Sequence, residues 1–276
     1  MSCPVEITHT AMDRLLDVAH GAASAALAFY GRCTSVNVKA DASPVTEADR
    51  AAHAAIDRDL TAWDPTIPIV SEEGAIPPYT ERRHWRRFWL VDPLDGTKEF
   101  IAGNGEFTVN ISLVEDGEPV LGVIVAPAMD VAYCAGRGLG AWRIASGDER
   151  TSLPFVQEPS ACVRVVESRS HPTPRLESFI ASLGPAERIP LGSSLKFCRV
   201  AEGTADVYAR FGRTMEWDVA AGDCIVRKAR PDRGIVCARY NQPTLSIPEF
   251  VIGSKDQKIK RSKGSQDLHD VNPLIL

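Results

Sequence analysis

The sequence predicts an α+β fold in which helices are layered on sheets, and three observations lead to it. Two stretches near the N-terminus repeat apolar residues at three- and four-residue steps, short β-type runs fill the middle, and helical and extended segments alternate beyond about residue 160.

The first helix is expected over Ala11 to Tyr30, where Leu15, Val18, Ala19, Ala22, Ala26 and Phe29 share one face. Thr46-Glu47-Ala48-Asp49 resembles a capping box and starts a second helix through Ala52, Ala55, Ile56 and Leu60, which puts Asp49 in its first turn. After Pro65 the pattern turns to strands: Ile67 to Val70, Phe88 to Val91, Val109 to Val114 and Val120 to Ala126. Glu115-Asp116-Gly117-Glu118 has the turn chemistry of an antiparallel hairpin. Val131 to Cys134 and Ala141 to Ile144 flank the turn Gly136 to Gly140, which lacks GxGxxG spacing and reads as structural. Residues 146 to 160 are polar and turn-rich. Beyond them come a strand from Cys162 to Glu167, helices at Pro174 to Leu183 and Leu195 to Glu202, a strand at Ala205 to Ala209, and a helix at Val219 to Lys228. The chain thus divides into an α+β half over 1–150, an α/β half over 151–254, and a disordered basic tail over 255–276 that carries Lys255, Lys258, Lys260, Arg261 and Lys263 without periodicity.

With 276 residues, 44% hydrophobic and 24% charged, the chain has length and composition for one large or two modest domains. A net charge of −5 supplies no field to gather nucleic acid, so an anionic ligand must be held by metal or by placed donors. The seven cysteines are odd in number, widely spaced and never CxxC, which argues for reduced structural thiols over a disulfide framework or a zinc site. No apolar run approaches the roughly 20 residues of a membrane span, and the N-terminus lacks a basic region followed by an apolar core. The expected setting is the cytoplasm, with peripheral association at the inner membrane left open, for a monomer or homodimer acting on a small molecule.

The chemistry centres on Phe88-Trp89-Leu90-Val91 running into Asp92-Pro93-Leu94-Asp95-Gly96-Thr97. Pro93 has no N–H and fixes its φ, so the chain is expected to leave the ladder there. A hard cation could take the Asp92 and Asp95 carboxylates and the Leu94 carbonyl. Gly96 allows close backbone approach, and a helical turn opened by Thr97-Lys98-Glu99-Phe100 would face a phosphate with free N–H groups. Asp-Pro and Asp-Gly are also common turn pairs. The second acidic strand end, Ser71-Glu72-Glu73-Gly74, points to a shared negative site instead. Such a cluster repels itself unless cations fill it, and an oxygen-only ligand set favours Mg²⁺ over zinc or copper. Two metals would activate water and stabilise the leaving oxygen, with Asp49 and Thr97 orienting the water. Capping alone would equally account for Asp49.

These residues resemble the lithium-sensitive, magnesium-dependent phosphatases that include inositol monophosphatase and the 3'(2'),5'-bisphosphate nucleotidases. The likeness spans most of residues 10 to 223 and rests on the motif at 92 to 97 and on Glu216-Trp217-Asp218-Val219-Ala220-Ala221-Gly222. It implies a layered α/β/α/β/α sandwich and a two- or three-metal mechanism. Glu72, Asp92 and the Leu94 carbonyl would bind one Mg²⁺, and Asp92, Asp95 and Asp218 another. Asp49, Thr97 and Glu72 would form the catalytic set, and the backbone around Gly96 and Thr97 would meet the scissile phosphate. Most metal ligands then fall in 1–150, with Asp218 and the nucleoside-binding elements in 151–254.

Gly96-Thr97-Lys98-Glu99-Phe100, Asn104 to Asn110, Ser168-Arg169-Ser170-His171 and Gly192-Ser193-Ser194-Leu195-Lys196-Phe197 are most similar to the bacterial bisphosphate nucleotidases of sulfur assimilation, the CysQ type. That branch implies loss of the 3'-phosphate from adenosine 3',5'-bisphosphate to give AMP, with the 3'-phosphosulfate analogue as a second substrate. Ser193, Ser194 and Lys196 could supply donors for the second phosphate and ribose. Helix capping and a solvated lysine would explain them as well, and His171 fits a structural histidine. From Cys224 to Gly234 the family's alanine-rich helix and glycine pair are missing, and likeness returns at Tyr240-Asn241-Gln242-Pro243. An inositol or sugar monophosphatase with the same metal site is the rival within this class. An inactive metal- or nucleotide-binding homologue is the rival outside it.

Overall fold

The computed structural model describes residues 5–32, 36–38, 44–145, 149–155, 160–170, 172–233 and 239–253. The basic tail expected over 255–276, His171, and the end of the departing segment at 234–238 lie outside the described residues.

Helix α1 (His9–Leu27) starts on Thr8, whose hydroxyl accepts from the Ala11 N–H at 3.1 Å. It ends one turn before the expected Tyr30. Strands β1 (Val36–Val38) and β2 (Pro44–Thr46) pair antiparallel and lead into α2 (Glu47–Trp63). There follow β3 (Ile69–Ser71), the short α3 (Tyr79–Arg82), β4 (Arg87–Asp95) and α4 (Thr97–Ala102). Then come β5 (Thr108–Glu115), β6 (Glu118–Ala126), β7 (Val131–Gly136), β8 (Gly140–Ala145) and β9 (Glu149–Ser152). The β5–β6 hairpin turns through Asp116 (φ 52°) and Gly117 (φ 84°), two positive φ values in a two-residue loop, as Asp-Gly favours.

The later elements are β10 (Val163–Ser168), α5 (Pro174–Ser182), β11 (Ala186–Leu191), α6 (Leu195–Glu202), β12 (Val207–Arg210), β13 (Thr214–Met215), α7 (Glu216–Ala229), β14 (Ser246–Ile247) and β15 (Phe250–Ile252). One sheet has the order β3-β4-β5-β6-β7-β8-β9 and another the order β11-β10-β12-β15. The 150/151 division read from the sequence falls inside β9, which pairs with β8 on the edge of the larger sheet.

The layers follow from side-chain alternation. Trp89, Val91, Val109, Ile111, Val123 and Val125 point to one face, where they pack with the apolar stripes of α1 and α2. Phe88, Leu90 and Ile124 point to the other, against α6 and α7. The smaller sheet covers α6 and α7 from the far side, and Leu176 and Ile180 of α5 close its outer face over Val165, Val207 and Ala209. The result is the α/β/α/β/α arrangement the sequence led us to expect. Small residues let α7 sit in the middle: an added Cβ on Gly222 would lie 2.3 Å from Cγ of Phe197 on α6, and one on Gly122 would lie 2.9 Å from Cβ of Cys224. Where the sequence departs from the alanine-rich pattern, α7 continues unbroken, with Cys224, Ile225 and Val226 buried in the core.

Candidate functional site

Strand pairing brings the first two carboxylates together. β3 and β4 run parallel with Ser71 beside Val91, and the Glu72 N–H donates to the Val91 carbonyl at 3.1 Å, so Glu72 and Asp92 emerge side by side at the strand ends. Asp92 has the parity of Phe88 and Leu90 and therefore faces α7. At the N-terminal turn of α7, Asp218 completes the group: Glu72, Asp92 and Asp218 each offer an oxygen within 4.8 Å of the other two.

The expectation that Pro93 ends the strand is corrected here. The ladder continues to Asp95, paired with Thr108, across a register shift between Asp92 and Asp95. The bulge absorbs the missing N–H and re-aims the chain, and the two aspartates remain close enough for Asp95 to push up the Asp92 carboxyl. Asp92 Oδ1 accepts from the Leu94 N–H at 3.1 Å, which fixes the loop, and Gly96 follows with φ 91° and ψ 43°, a left-handed conformation that favours glycine. Thr97 then opens α4, as expected.

Asp49 caps α2 and also reaches Thr97. Its Oδ2 accepts from the Thr46 N–H (2.7 Å) and hydroxyl (2.6 Å), capping α2, while its Oδ1 lies 3.3 Å from the Thr97 hydroxyl. Asp218 follows the same plan: its Oδ2 accepts from the Thr214 hydroxyl and the Met215 N–H, each at 2.8 Å, yet the residue remains part of the acidic group.

The charges are strongly opposed by their surroundings. Burial pushes the Asp92 carboxyl well above the usual range, and Glu72, Asp95 and Asp218 push it further. Asp218 is driven up to about 7 by burial and then by Asp95 and Glu72. Asp95 is also raised by burial, against the opposing pull of Lys196 and of hydrogen bonds from Ser194 and Asn110. Asp49 is raised chiefly by burial. A cluster of oxygen donors that resists ionisation among its own residues is suited to a bound cation.

Ser193, Ser194 and Lys196 are brought to this site; the Ser193 hydroxyl accepts from the Leu195 N–H at the start of α6 (3.5 Å), but capping does not describe Ser194 nor solvation Lys196. Ser194 makes no side-chain cap to α6. Its hydroxyl lies 2.7 Å from Asp95 Oδ2 and 2.8 Å from the Asp218 carbonyl, and it accepts from Asn110 Nδ2 at 3.0 Å. Lys196 is buried, its ammonium donating to the Ser193 and Leu191 carbonyls, and burial lowers it to about 8. Ser193 takes φ 46° and lines, with Asp95, Asp218, Lys196 and Arg210, a narrow cleft of about 80 Å³.

Two positioning groups were not assigned from sequence. Asn110 lies directly across from Asp92 in the β4–β5 register and holds both Ser194 and Asp95 (3.3 Å). Its signal was an amide among the apolar residues Val109, Ile111, Leu113 and Val114, which demands partners once buried. The second is Arg82, buried on α3, which donates to the Pro77, Gln242 and Pro243 carbonyls and to Asn241 Oδ1. The N–H groups of Asn241 and Gln242 in turn donate to Glu216 at 2.7 Å, which anchors the start of α7 beside Asp218. That is the physical content of the returning Tyr240-Asn241-Gln242-Pro243 likeness.

Among the described cysteines, Cys134, Cys162, Cys198 and Cys224 are all free thiols. Among the described residues no helix is long and apolar enough to cross a membrane.

Residues 11–264 match the inositol monophosphatase family. The chain is 46% identical over 220 residues to 3'(2'),5'-bisphosphate nucleotidase CysQ of Escherichia coli K12, covering 79% of this chain and 87% of that protein. It is 39% identical over 260 residues to the protein of the same name from Aggregatibacter actinomycetemcomitans, covering 91% and 94%. Among solved structures, CysQ from Bacteroides thetaiotaomicron, a bacterial member of the inositol monophosphatase family, superposes with a TM-score of 0.78 at 41% identity, covering 89% of this chain and 97% of that one.

Proposed function

The chain belongs to the inositol monophosphatase family, and from that premise we propose that it is a Mg²⁺-dependent 3'(2'),5'-bisphosphate nucleotidase. It removes the 3'-phosphate of adenosine 3',5'-bisphosphate to give AMP and phosphate, accepts the 3'-phosphosulfate analogue, and serves sulfur assimilation in the cytoplasm. The observation that carries the reaction is the meeting of Glu72, Asp92 and Asp218 at one point beside Asp95. The likeness to bisphosphate nucleotidases over most of both chains supports the substrate.

Glu72, Asp92 and the Leu94 carbonyl would hold one Mg²⁺, and Asp92, Asp95 and Asp218 a second. When bound, Mg²⁺ supplies Lewis acidity toward the phosphoryl group and acidifies a water to nucleophile strength. Thr97 passes its hydroxyl proton toward Asp49 Oδ1 and accepts one from the attacking water. The raised Asp49 carboxyl makes it a stronger base than an ordinary aspartate for that role. Gly96 and the first turn of α4 meet the phosphate through backbone N–H groups. Ser193 and Lys196 border the cleft for the remaining phosphate and ribose, while Ser194 acts by holding Asp95.

Side-by-side turnover of adenosine 3',5'-bisphosphate and inositol 1-phosphate, with and without Mg²⁺, tests the substrate. A preference for inositol 1-phosphate would overturn it. Asp95→Asn tests the reaction itself: loss of one ligand charge is expected to lower kcat by about a hundredfold or more, and unchanged Mg²⁺-dependent turnover would remove the assignment.

A further inference from the structure

β10 connects two unlike places. Its last residue, Ser168, lines the cleft beside Asp95 and Asp218, whereas Val163 and Arg164 at its start, with Cys162 just before them, line a cavity of about 720 Å³. From Arg164 to Ser168 the strand spans about 13 Å, so the cavity is separate from the acidic site.

Arginines dominate its polar lining: Arg164, Arg230 and Arg233. Arg164 is neutralised by Asp206, with two contacts of 3.0 Å. Arg233 is only 9% exposed, and its Nη1 donates to the Asp206 carbonyl at 3.0 Å, but its Nε has no hydrogen-bond partner. The Asp232 carboxylate stands 3.3 Å from that Nε and 3.4 Å from the Nε of Arg230, and it is 53% exposed, so one solvated carboxylate is shared by two guanidinium groups. Burial lowers the Arg233 pKa, and Arg230 is the next largest cause. Among the described residues, Arg164 thus has Asp206 and, behind it, Glu187, whereas Arg230 and Arg233 share Asp232. Phe155 and Pro185 add an apolar wall. Arg230 and Arg233 also lie in the segment where the sequence departs from the family pattern.

We propose that this cavity is a second anion site, taking a small phosphate- or sulfate-bearing molecule on Arg230 and Arg233, away from the hydrolytic centre. The planar donor forks of two arginines match a tetrahedral oxyanion, and a bound anion adds the negative charge that the Asp232 carboxylate alone divides between them.

Cys162, a partly exposed free thiol in the lining, reports on occupancy. The full-length, Mg²⁺-loaded protein is alkylated with iodoacetamide, and modification of Cys162 is followed by peptide mass spectrometry with inorganic sulfate, with AMP, or with chloride at matched ionic strength. An occupied site slows modification in proportion to the unliganded fraction, about tenfold at ten times Kd. Arg230→Gln and Arg233→Gln should each abolish the protection. Protection by AMP but not sulfate assigns a phosphate ester with its organic body, and protection by both at similar concentrations assigns the oxyanion alone. Should Arg233→Gln fail to fold, Arg230→Gln carries the test. Labelling at the chloride rate with both probes, or equal protection in folded Arg230→Gln, overturns the proposal.

Discussion

Replacing Asp218 with asparagine should stabilise the protein when divalent cations are removed, and the size of that gain follows from the site. The Asp218 carboxyl titrates near 7 in the fold, against 3.8 for an ordinary aspartate. At about 1.4 kcal/mol per pH unit this gap corresponds to ~4 kcal/mol, and the partly exposed edge of Asp218 toward the cleft screens the value to ~2–4 kcal/mol. Because the folded pKa lies above the unfolded one, the folded chain binds more protons between pH 4 and 7. Stability from this group is full below about pH 4 and is lost as pH rises through 7. Asparagine removes the titration and keeps an oxygen to accept from the Thr214 hydroxyl and the Met215 N–H. Urea unfolding in EDTA should therefore show wild type and Asp218→Asn nearly equal at pH 4, with the variant ahead by ~2–4 kcal/mol at pH 8. Removing Asp218 also relieves Asp92, so the difference measures Asp218 together with its repulsion by the neighbouring carboxylates. Saturating Mg²⁺ should reverse the order, since the cation stabilises the protein that holds it better. The reasoning fails if the variant is no more stable than wild type at pH 8 without cation, or if the difference does not change with pH.

Ser194→Ala removes the hydroxyl that joins Asp95 to the Asp218 carbonyl, and calorimetric titration should show Mg²⁺ affinity weaker by about 10- to 100-fold; unchanged affinity would make the contact incidental. Gly222→Ala gains ~1 kcal/mol of helix propensity but drives a methyl into Phe197. Overpacking of ~1–3 kcal/mol should win in urea denaturation, with Phe197→Leu restoring part of the loss in the double variant. Arg82→Met strands the Pro77 and Pro243 carbonyls and should cost ~3 kcal/mol in the same assay. Turnover in Mg²⁺ should fall when Li⁺ is added, and complete insensitivity would count against the family's metal chemistry.

Local chemistry made much of this fold readable. Thr46 and Asp49 cap α2 because the capping box needs only residues three apart, and Asp116-Gly117 makes its turn from its own two φ angles. Edge strands were harder. β9 is all polar and exposed, and β11 carries Pro190 and no alternation, so neither shows a period for the eye to find. At the site, the acidic residues stood out because paired carboxylates at strand ends need a reason. The roles of Asn110 and Ser194 did not, because they depend on the Asp92–Asn110 register and on a turn at Ser193 that no neighbouring residue dictates. Pro93 misled through a sound local rule, since a bulge lets the strand continue where an ordinary ladder could not.

The Ser194–Asp95 hydrogen bond joins residues 99 positions apart, and Asp218 lies farther along still. During synthesis, a ribosome-bound chain that has exposed Glu72, Asp92 and Asp95 holds acids without the partners that orient them. Cation capture is thereby tied to completion of the fold. If the site binds Mg²⁺ as proposed, a truncated or half-folded copy would neither sequester the metal nor hydrolyse phosphate esters, and metal occupancy would read out how much of the population has finished folding.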